Sequence, residues 1–549
     1  MATITSHLDT QSKTYRENRD ALLEILDMLD DLHQQVEKGG GEEAMARIAS
    51  QGKKPVRQRI AMVLDRDSPF MEVCPLAAYN SGTEIGSGFI VGIGVISDTE
   101  CLILGHDPSV RAGAMTGFNS KKLMRGLEIA RVNRLPYVQF VESAGGDLRG
   151  NPGGPRGPRM AMRRMVHPAP GHFAESGRLF YEITELSQMH IPTVAVVCGT
   201  ATAGGAYQPG MSDYNIFVSN QARVALGGVP LVKMATGEDA DAESLSGAAM
   251  HTSISGLGDY LAENEEDGAR LCREVISHIN WRKLGPGPSM PADPPAYDPD
   301  ELLGIVPQDL KKPFDMREVI ARIVDGSRFE EFKPLYGPTL VCGWTSVDGY
   351  PVGVLGNNGP LMSESSEKAA QFVQLCNQID VPLVFLHNVT GYMVGTDFER
   401  GGMIKNGAKM INAVANSTVP HISVIVGASY GAANHGMSGR SFNTRFTFSW
   451  PTARADEMGS AQLTGVMGIV DREQARANGT DFDEEAYSRD LDELAWEADE
   501  RAQALYITAA VADDGLIDPR DTRTHLSIAL SACHSNEVAG AKNYGVWRM

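Results

Sequence analysis

At 549 residues the chain is too long for a single hydrophobic core, so two or more domains are expected. Its composition, 42% hydrophobic and 21% charged, is that of a globular protein. A formal net charge of −20 excludes a general nucleic-acid binder, whose phosphate contacts need a basic surface, but leaves room for a local basic patch facing a small phosphorylated ligand.

In chain order, the polar stretch from Met1 to Arg16 shows no apolar run followed by a small-residue cleavage site, so no signal peptide is expected. Leu22, Leu23, Ile25, Leu26, Met28, Leu29 and Leu32 recur at helical spacing and predict an amphipathic helix over 15–37, ended by Gly39-Gly40-Gly41. A second helix is predicted over 56–64, and glycine-punctuated strands at Phe89-Ile-Val-Gly and Cys101-Leu-Ile-Leu-Gly. The stretch 285–299, rich in proline and glycine, is the candidate linker and divides the chain into halves of comparable size. No window reaches the roughly 18 apolar residues of a membrane span. The seven cysteines (Cys74, Cys101, Cys198, Cys272, Cys342, Cys376, Cys533) are scattered and form no CxxC. That argues against a disulfide framework or a metal site and for a reducing, cytoplasmic setting.

The halves repeat each other. Ser120 opens a helical run that reaches Pro136, and Ser366 opens one that reaches Pro382, 16 residues on in both cases. Each proline leads an apolar strand, Tyr137-Val-Gln-Phe-Val and Leu383-Val-Phe-Leu-His. A further proline, Pro192 or Pro420, leads another strand; seven residues past it stands Gly199 or Gly427, and twelve past it begins Gly204-Gly205 or Ala432-Ala433. Helix and strand alternating at this spacing predict βαβ units, a parallel sheet and a duplicated α/β domain.

Each repeat ends a strand in a loop of tiny residues, Gly199 to Tyr207 and Gly427 to His435. Tiny residues let a ligand approach the backbone, and the N–H groups of a helix start have no partner within the helix. Two such groups aimed at one carbonyl oxygen make an oxyanion hole, of which one donor is worth about 100- to 1,000-fold in rate. The same glycines and alanines would equally let helix and strand pack closely. Two holes in equivalent places suit a reaction in which two carbonyls develop negative charge.

Several long stretches carry a family resemblance: Val56-Arg-Gln-Arg-Ile60, Ser68-Pro-Phe-Met-Glu72, Ala203-Gly-Gly-Ala-Tyr207, Leu226-Gly-Gly-Val-Pro-Leu-Val-Lys-Met-Ala-Thr-Gly-Glu238, Thr390-Gly-Tyr-Met-Val-Gly395, Gly401-Gly-Met-Ile-Lys-Asn-Gly-Ala-Lys409, Gly431-Ala-Ala-Asn-His-Gly436 and Gly545-Val-Trp-Arg-Met549. Across nearly its whole length the chain resembles carboxyltransferase β subunits of biotin-dependent acyl-CoA carboxylases, nearest to the methylcrotonyl-CoA and geranyl-CoA branch, with propionyl-CoA carboxylases in the same family. The resemblance implies an α/β fold of two duplicated crotonase-like domains, each a ββα superhelix, over 1–290 (acyl-CoA side) and 300–549 (biotin side). It places the thioester oxygen at Gly204 and Gly205 and the ureido oxygen of biotin at Ala432 and Ala433, with no side chain needed as general base. Ala203, Ala206, Tyr207, Gly227, Gly228 and His435 would line the acyl-CoA side, with a satisfied structural histidine the other reading of His435; Arg57 and Arg59 resemble the family's basic cluster near the CoA nucleotide or form a solvated helix face, and Lys121 and Lys122 either meet a phosphate or simply start a helix. Gly391, Tyr392, Gly401, Gly402 and Gly431 would line the biotin side.

The chain lacks the Ala-Met-Lys-Met of a biotin attachment site (Ala408-Lys-Met410 is the nearest string), and it shows no P-loop. Biotin is therefore expected on a partner subunit carrying the biotin carboxylase and carboxyl carrier, around a homo-hexameric core, with no bound metal. Departures from the family pattern are Gln51 in place of the usual arginine, His435 in place of tyrosine, Ser460 within Met458-Gly-Ser-Ala-Gln462, and an arginine-rich insertion within 144–172 that holds Arg149, Arg156, Arg159, Arg163 and Arg164. The insertion reads as a flap over acyl-CoA, as a contact for an acidic partner, or as a surface loop. A biotin-dependent acyl-CoA decarboxylase and a non-catalytic structural subunit are the alternative functions.

Overall fold

The computed structural model describes residues 1–146, 177–479 and 483–549, and the arginines of the 144–172 insertion lie outside the described residues. The chain forms two compact units. One is Asp30–Leu284 with Ala509–Val511, and the other is Met1–Leu29 with Gly285–Thr508 and Ala512–Met549. The first strand, β1 (Ala2–Thr3), belongs to the second of these.

In the Asp30–Leu284 unit, β2 (Phe70–Glu72), β3 (Phe89–Ile96) and β4 (Thr99–His106) run antiparallel. From β4 onward β5 (Tyr137–Ser143), β6 (Thr193–Thr202), β7 (Tyr214–Val218) and β9 (Tyr260–Ala262) are parallel, and β8 (Arg223–Ala225) lies parallel to the end of β6. Both faces of this sheet are covered, which is why β5 and β6 are buried along nearly their whole length rather than at alternate residues. Val138, Phe140, Val194 and Val196 pack with Val56 and Ile60 of the predicted second helix, which runs Val56–Val63. Val141, Val197 and Phe217 pack on the other face. The predicted first helix runs Lys13–Glu37 and ends at Gly39, whose φ of +52° suits glycine.

The other unit repeats the plan. β10 (Arg328–Glu331), β11 (Leu340–Val347) and β12 (Tyr350–Asn357) are antiparallel. β13 (Leu383–Val389), β14 (His421–Tyr430), β15 (Phe446–Ser449) and β17 (Gly515–Leu516) continue parallel, with β16 (Arg454–Asp456) beside the end of β14. The expected strands after Pro136, Pro192, Pro382 and Pro420 are β5, β6, β13 and β14. Register repeats as well: Leu102 pairs with Tyr137 and Tyr137 with Thr193, as Gly353 pairs with Leu383 and Leu383 with His421. The register shifts at the same place in both, between Val141 and Ser143 and between His387 and Val389.

A boundary after residue 290 would assign the first 29 residues to the first half; the structure groups them with the second. β1 pairs with β10, Ser6 and His7 hydrogen-bond the Glu318 carboxylate at 2.6 and 2.7 Å, and the Tyr15 ring packs on Gly304, where a Cβ would come within 2.4 Å. These contacts span some 300 residues of sequence, and no local pattern encodes them.

Each half buries a lysine at one place in the repeat. Lys122, on the helix Gly117–Asn133, reaches the Gly86 carbonyl at 3.5 Å and Glu72 at 3.8 Å. Lys368, on the helix Ser363–Gln378, donates to the Leu340 carbonyl at 2.8 Å. Both are fully buried, with relative exposure of 0%. Lys122 is therefore part of the fold and is not placed to meet a phosphate, contrary to the expectation from resemblance. Lys122→Met should cost about 1–3 kcal/mol in urea unfolding while leaving the KM for acyl-CoA unchanged; a raised KM at unchanged stability would reverse the assignment.

Burial also holds three histidines neutral. The His106 and His387 rings are pushed down to about 4 and the His421 ring to about 3, from 6.5. A folded value below the unfolded one means that the unfolded chain binds more protons between the two. The stability from these rings is present above pH 6.5 and is lost as pH falls toward 4, by up to about 1.4 kcal/mol per ring per pH unit. Asp513, pushed up to about 7 by burial, works in the opposite direction, as one group against three. The urea midpoint should fall steadily from pH 7 to pH 5.

Candidate functional site

Two strand ends carry the predicted loops. β6 ends at Thr202, and Ala203–Ala206 make a 3₁₀ turn followed by the short helix Tyr207–Gly210. β14 ends at Tyr430, and the helix Gly431–Gly436 follows. At the corner both chains enter the left-handed region, Ala203 at φ +55° and Gly431 at φ +57°. For alanine that conformation costs about 1–2 kcal/mol, so the turn is held there by its surroundings. The corner leaves the N–H groups of Gly204, Gly205, Ala432 and Ala433 in a first turn, where such groups lack partners along the helix.

The two residues of each pair differ in burial. Gly205 and Ala433 are buried, whereas Gly204 and Ala432 are exposed. A Cβ on Gly205 would come within 3.2 Å of Ser143, so a side chain there would push Ser143 back by a few tenths of an ångström. A Cβ on Gly204 would meet only the Phe180 Cζ at 3.5 Å, an ordinary contact. The fold does not require glycine at 204, and its backbone is exposed.

Behind the loops, the register shift turns one side chain of the neighbouring strand across each β6-type strand. Glu142 lies against Gly199, where a Cβ would come within 2.3 Å of its carboxylate carbon, and Asn388 lies against Gly427, where the distance to Oδ1 would be 2.6 Å. The equal spacing of Gly199 and Gly427 in the sequence was the trace of this crossing, but the partners were not legible. Glu142 accepts from Arg59 at 2.8 Å and from Lys53, and the other side of the Arg59 guanidinium donates to Glu265 at 2.8 Å. Two cations and two carboxylates balance one another. Asn388 instead accepts from the Ala428 N–H at 3.3 Å, and its own N–H donates to Asn357 Oδ1 at 3.1 Å.

The cations expected near the phosphates have partners within the fold. Arg59, with 0% exposure, is consumed by Glu142 and Glu265 and is not available to a phosphate. Arg57 is half-buried and forks onto Glu72 at 2.8 and 3.3 Å. Lys121 is exposed and donates to the Ala510 carbonyl at 2.6 Å.

The remaining predicted residues are distributed as follows. Tyr207 is exposed, edge-on to Phe180 at 5.5 Å, and Ala206 is buried. Gly227 and Gly228 follow β8, and Gly228 precedes the helix Val229–Thr236, none of whose residues is buried. Leu226, Leu231 and Met234 stand exposed there. The matching helix after β16 is Ser460–Asn478, where Gly468 alone is buried and Val466, Ile469 and Val470 are exposed. His435 is exposed, stacks on Phe442 at 5.5 Å and lies 3.3 Å from Ser441 Oγ. Tyr392 is mostly enclosed: its ring packs on Gly407, and a Cβ on Gly436 would come within 2.2 Å of its hydroxyl. Gly391 (φ +148°) and Gly402 (φ +84°) need glycine for conformation, and Gly401, exposed, precedes the latter. His251 was not foreseen; its Nε2 lies 2.7 Å from the Val224 carbonyl and holds β8 beside the first loop. Among the described residues no cluster of three or more His, Cys, Asp or Glu could hold a metal.

Comparison with known proteins bears on the family. The carboxyl transferase domain family matches residues 48–546. The chain is 47% identical over 548 residues to a probable biotin-dependent acyl-coenzyme A carboxylase beta2 subunit of Mycobacterium tuberculosis, covering 99% of each. It is 42% identical over 563 residues to a probable mitochondrial methylcrotonoyl-CoA carboxylase beta chain of Drosophila melanogaster, covering 99% of this chain and 95% of that one. The crystal structure of the P. aeruginosa geranyl-CoA carboxylase beta subunit is similar over 100% of both chains, with a TM-score of 0.87 and 40% identity. A duplicated α/β fold, matched from end to end by such relatives, makes this chain a member of the carboxyl transferase family, a carboxyltransferase β subunit of the biotin-dependent acyl-CoA carboxylases.

Proposed function

We propose that the Ala203–Tyr207 loop holds the thioester oxygen of an acyl-CoA and that the Gly431–His435 loop holds the ureido oxygen of biotin carried by a partner subunit. The observation that carries this is the matched left-handed corner at Ala203 and Gly431, followed in each unit by an exposed tiny residue. The exposed, side-chain-free backbone at Gly204 suits a planar carbonyl group brought against it. Carboxybiotin, when bound, supplies the carboxyl group. The chain's own contribution is positional and electrostatic. The N–H groups of Gly204 and Gly205 stabilise negative charge on the thioester oxygen as the neighbouring carbon loses its proton, and those of Ala432 and Ala433 do the same for the ureido oxygen. Backbone donors that are already oriented need no reorganisation as charge develops.

Phe180, Tyr207 and Leu226 give the first loop an apolar border, which suits a branched or longer acyl group of the methylcrotonyl or geranyl kind. The exposed apolar helices Val229–Thr236 and Ser460–Asn478 support a homo-oligomer, a hexamer on our reading, since isolated apolar faces of this size are covered in stable proteins. The partner is the subunit bearing biotin carboxylase and the carboxyl carrier. All seven cysteines are free and buried, which supports a reducing compartment, the cytoplasm.

The chain assembled with a biotinylated partner, ATP and bicarbonate should carboxylate at least one of a panel of acyl-CoAs. Gly204→Val should lower kcat by about 100- to 1,000-fold with little change in the unfolding midpoint, and Ala432→Val should behave likewise. Normal rates in both variants would sink the assignment of the two holes. Met234→Glu and Ile469→Glu should each shift sedimentation toward smaller species; wild-type sedimentation of both would remove the case for these faces as subunit contacts.

A further inference from the structure

The two units match residue for residue through the loops, so places where their chemistry differs stand out. Counting from the strand starts, the fifth residue of β5 and β13 is Val141 and His387, and the ninth of β6 and β14 is Ala201 and Ser429. The fourth residue from the left-handed corner is Ala206 in one loop and Asn434 in the other. In the first unit Val141, Ala201 and Ala206 belong to one apolar cluster. In the second unit the same three places form a hydrogen-bonded chain. Asn434 Nδ2 donates to Ser429 Oγ at 2.8 Å, and Ser429 Oγ lies 2.9 Å from His387 Nδ1.

The directions follow from the donor inventory. The Asn434 amide nitrogen can only donate, so the Ser429 hydroxyl proton is free to go to His387 Nδ1. The ring is then neutral, with its proton on Nε2. Burial keeps it neutral: His387 is 0% and Ser429 1% exposed. The amide is also wedged, because a Cβ on Gly439 would lie 1.8 Å from Asn434 Oδ1. Ser429 stands two residues before Gly431 and Asn434 directly after Ala433, so the chain brackets the left-handed corner and both N–H groups of the second hole.

A buried polar chain carries a desolvation penalty that an apolar cluster avoids. The first unit shows that this fold closes the same space with Val, Ala and Ala, so stability does not call for His, Ser and Asn. We propose that His387, Ser429 and Asn434 are positioning residues that fix the Ala432 and Ala433 N–H groups on the oxygen of the biotin ureido ring, a constraint that the acyl-CoA loop does not have. This rests on the assignment of the second loop to biotin made above.

The test uses the full chain assembled with its biotinylated partner, following transfer from a carboxylated acyl-CoA to added free biotin. Ser429→Ala, which cuts both links, and Asn434→Asp, which keeps the shape but loses the donor, should each lower kcat/KM for biotin by about 10- to 100-fold, since small misplacement of catalytic donors has effects of that size. The KM for the acyl-CoA should stay within about twofold, because the first loop is untouched. Ser429→Thr, which retains the hydroxyl, should restore most of the loss. If either variant folds and keeps wild-type kcat/KM for biotin, or if the acyl-CoA KM rises instead, the positioning role is overturned. Failure of the wild-type assembly to transfer to biotin at all would overturn the function itself, a separate outcome.

Discussion

Everything at the two loops depends on one steric event: where strand register slips, a side chain from β5 or β13 crosses the neighbouring strand and only glycine can lie beneath it. Glu142 over Gly199 and Asn388 over Gly427 are the two instances. Beyond that crossing each strand must still turn through a left-handed residue before its loop. The loop therefore leaves the sheet in one direction, with its first N–H groups projecting from the strand end. Tiny residues follow because backbone, and not side chain, faces outward there.

The two units secure this common geometry with different chemistry. In the first, a closed set of two cations and two carboxylates grips Glu142. Such a set is tolerable in a protein interior because no charge is left alone; removing any member would strand its partner. In the second, the crossing residue is an uncharged amide that bonds to backbone, and a histidine–serine–asparagine chain braces the corner. Duplication preserved the scaffold, and the supports diverged.

Arg59 and Lys122 illustrate how sequence similarity leaves side-chain direction open. Arg59 and Lys122 have the composition of a phosphate patch, yet both point inward, and Lys122 has a structural twin in Lys368. A net charge of −20 on the chain makes the use of cations as internal counter-ions unsurprising.

Much was determined by the sequence alone. The strands after Pro136, Pro192, Pro382 and Pro420, the early helices, the duplication and the tiny-residue loops were legible, because proline, glycine and apolar periodicity act locally. The membership of residues 1–29, the inward turn of Arg59 and Lys122, the enclosure of Tyr392, and the partners Glu142, Asn388, His251, Ser429 and Asn434 were decided only by tertiary structure. Each depends on contacts between residues that are distant in sequence or on which face of a strand a side chain takes after a register shift. A one-residue slip in a strand exchanges the two faces, and no local pattern records where it occurs.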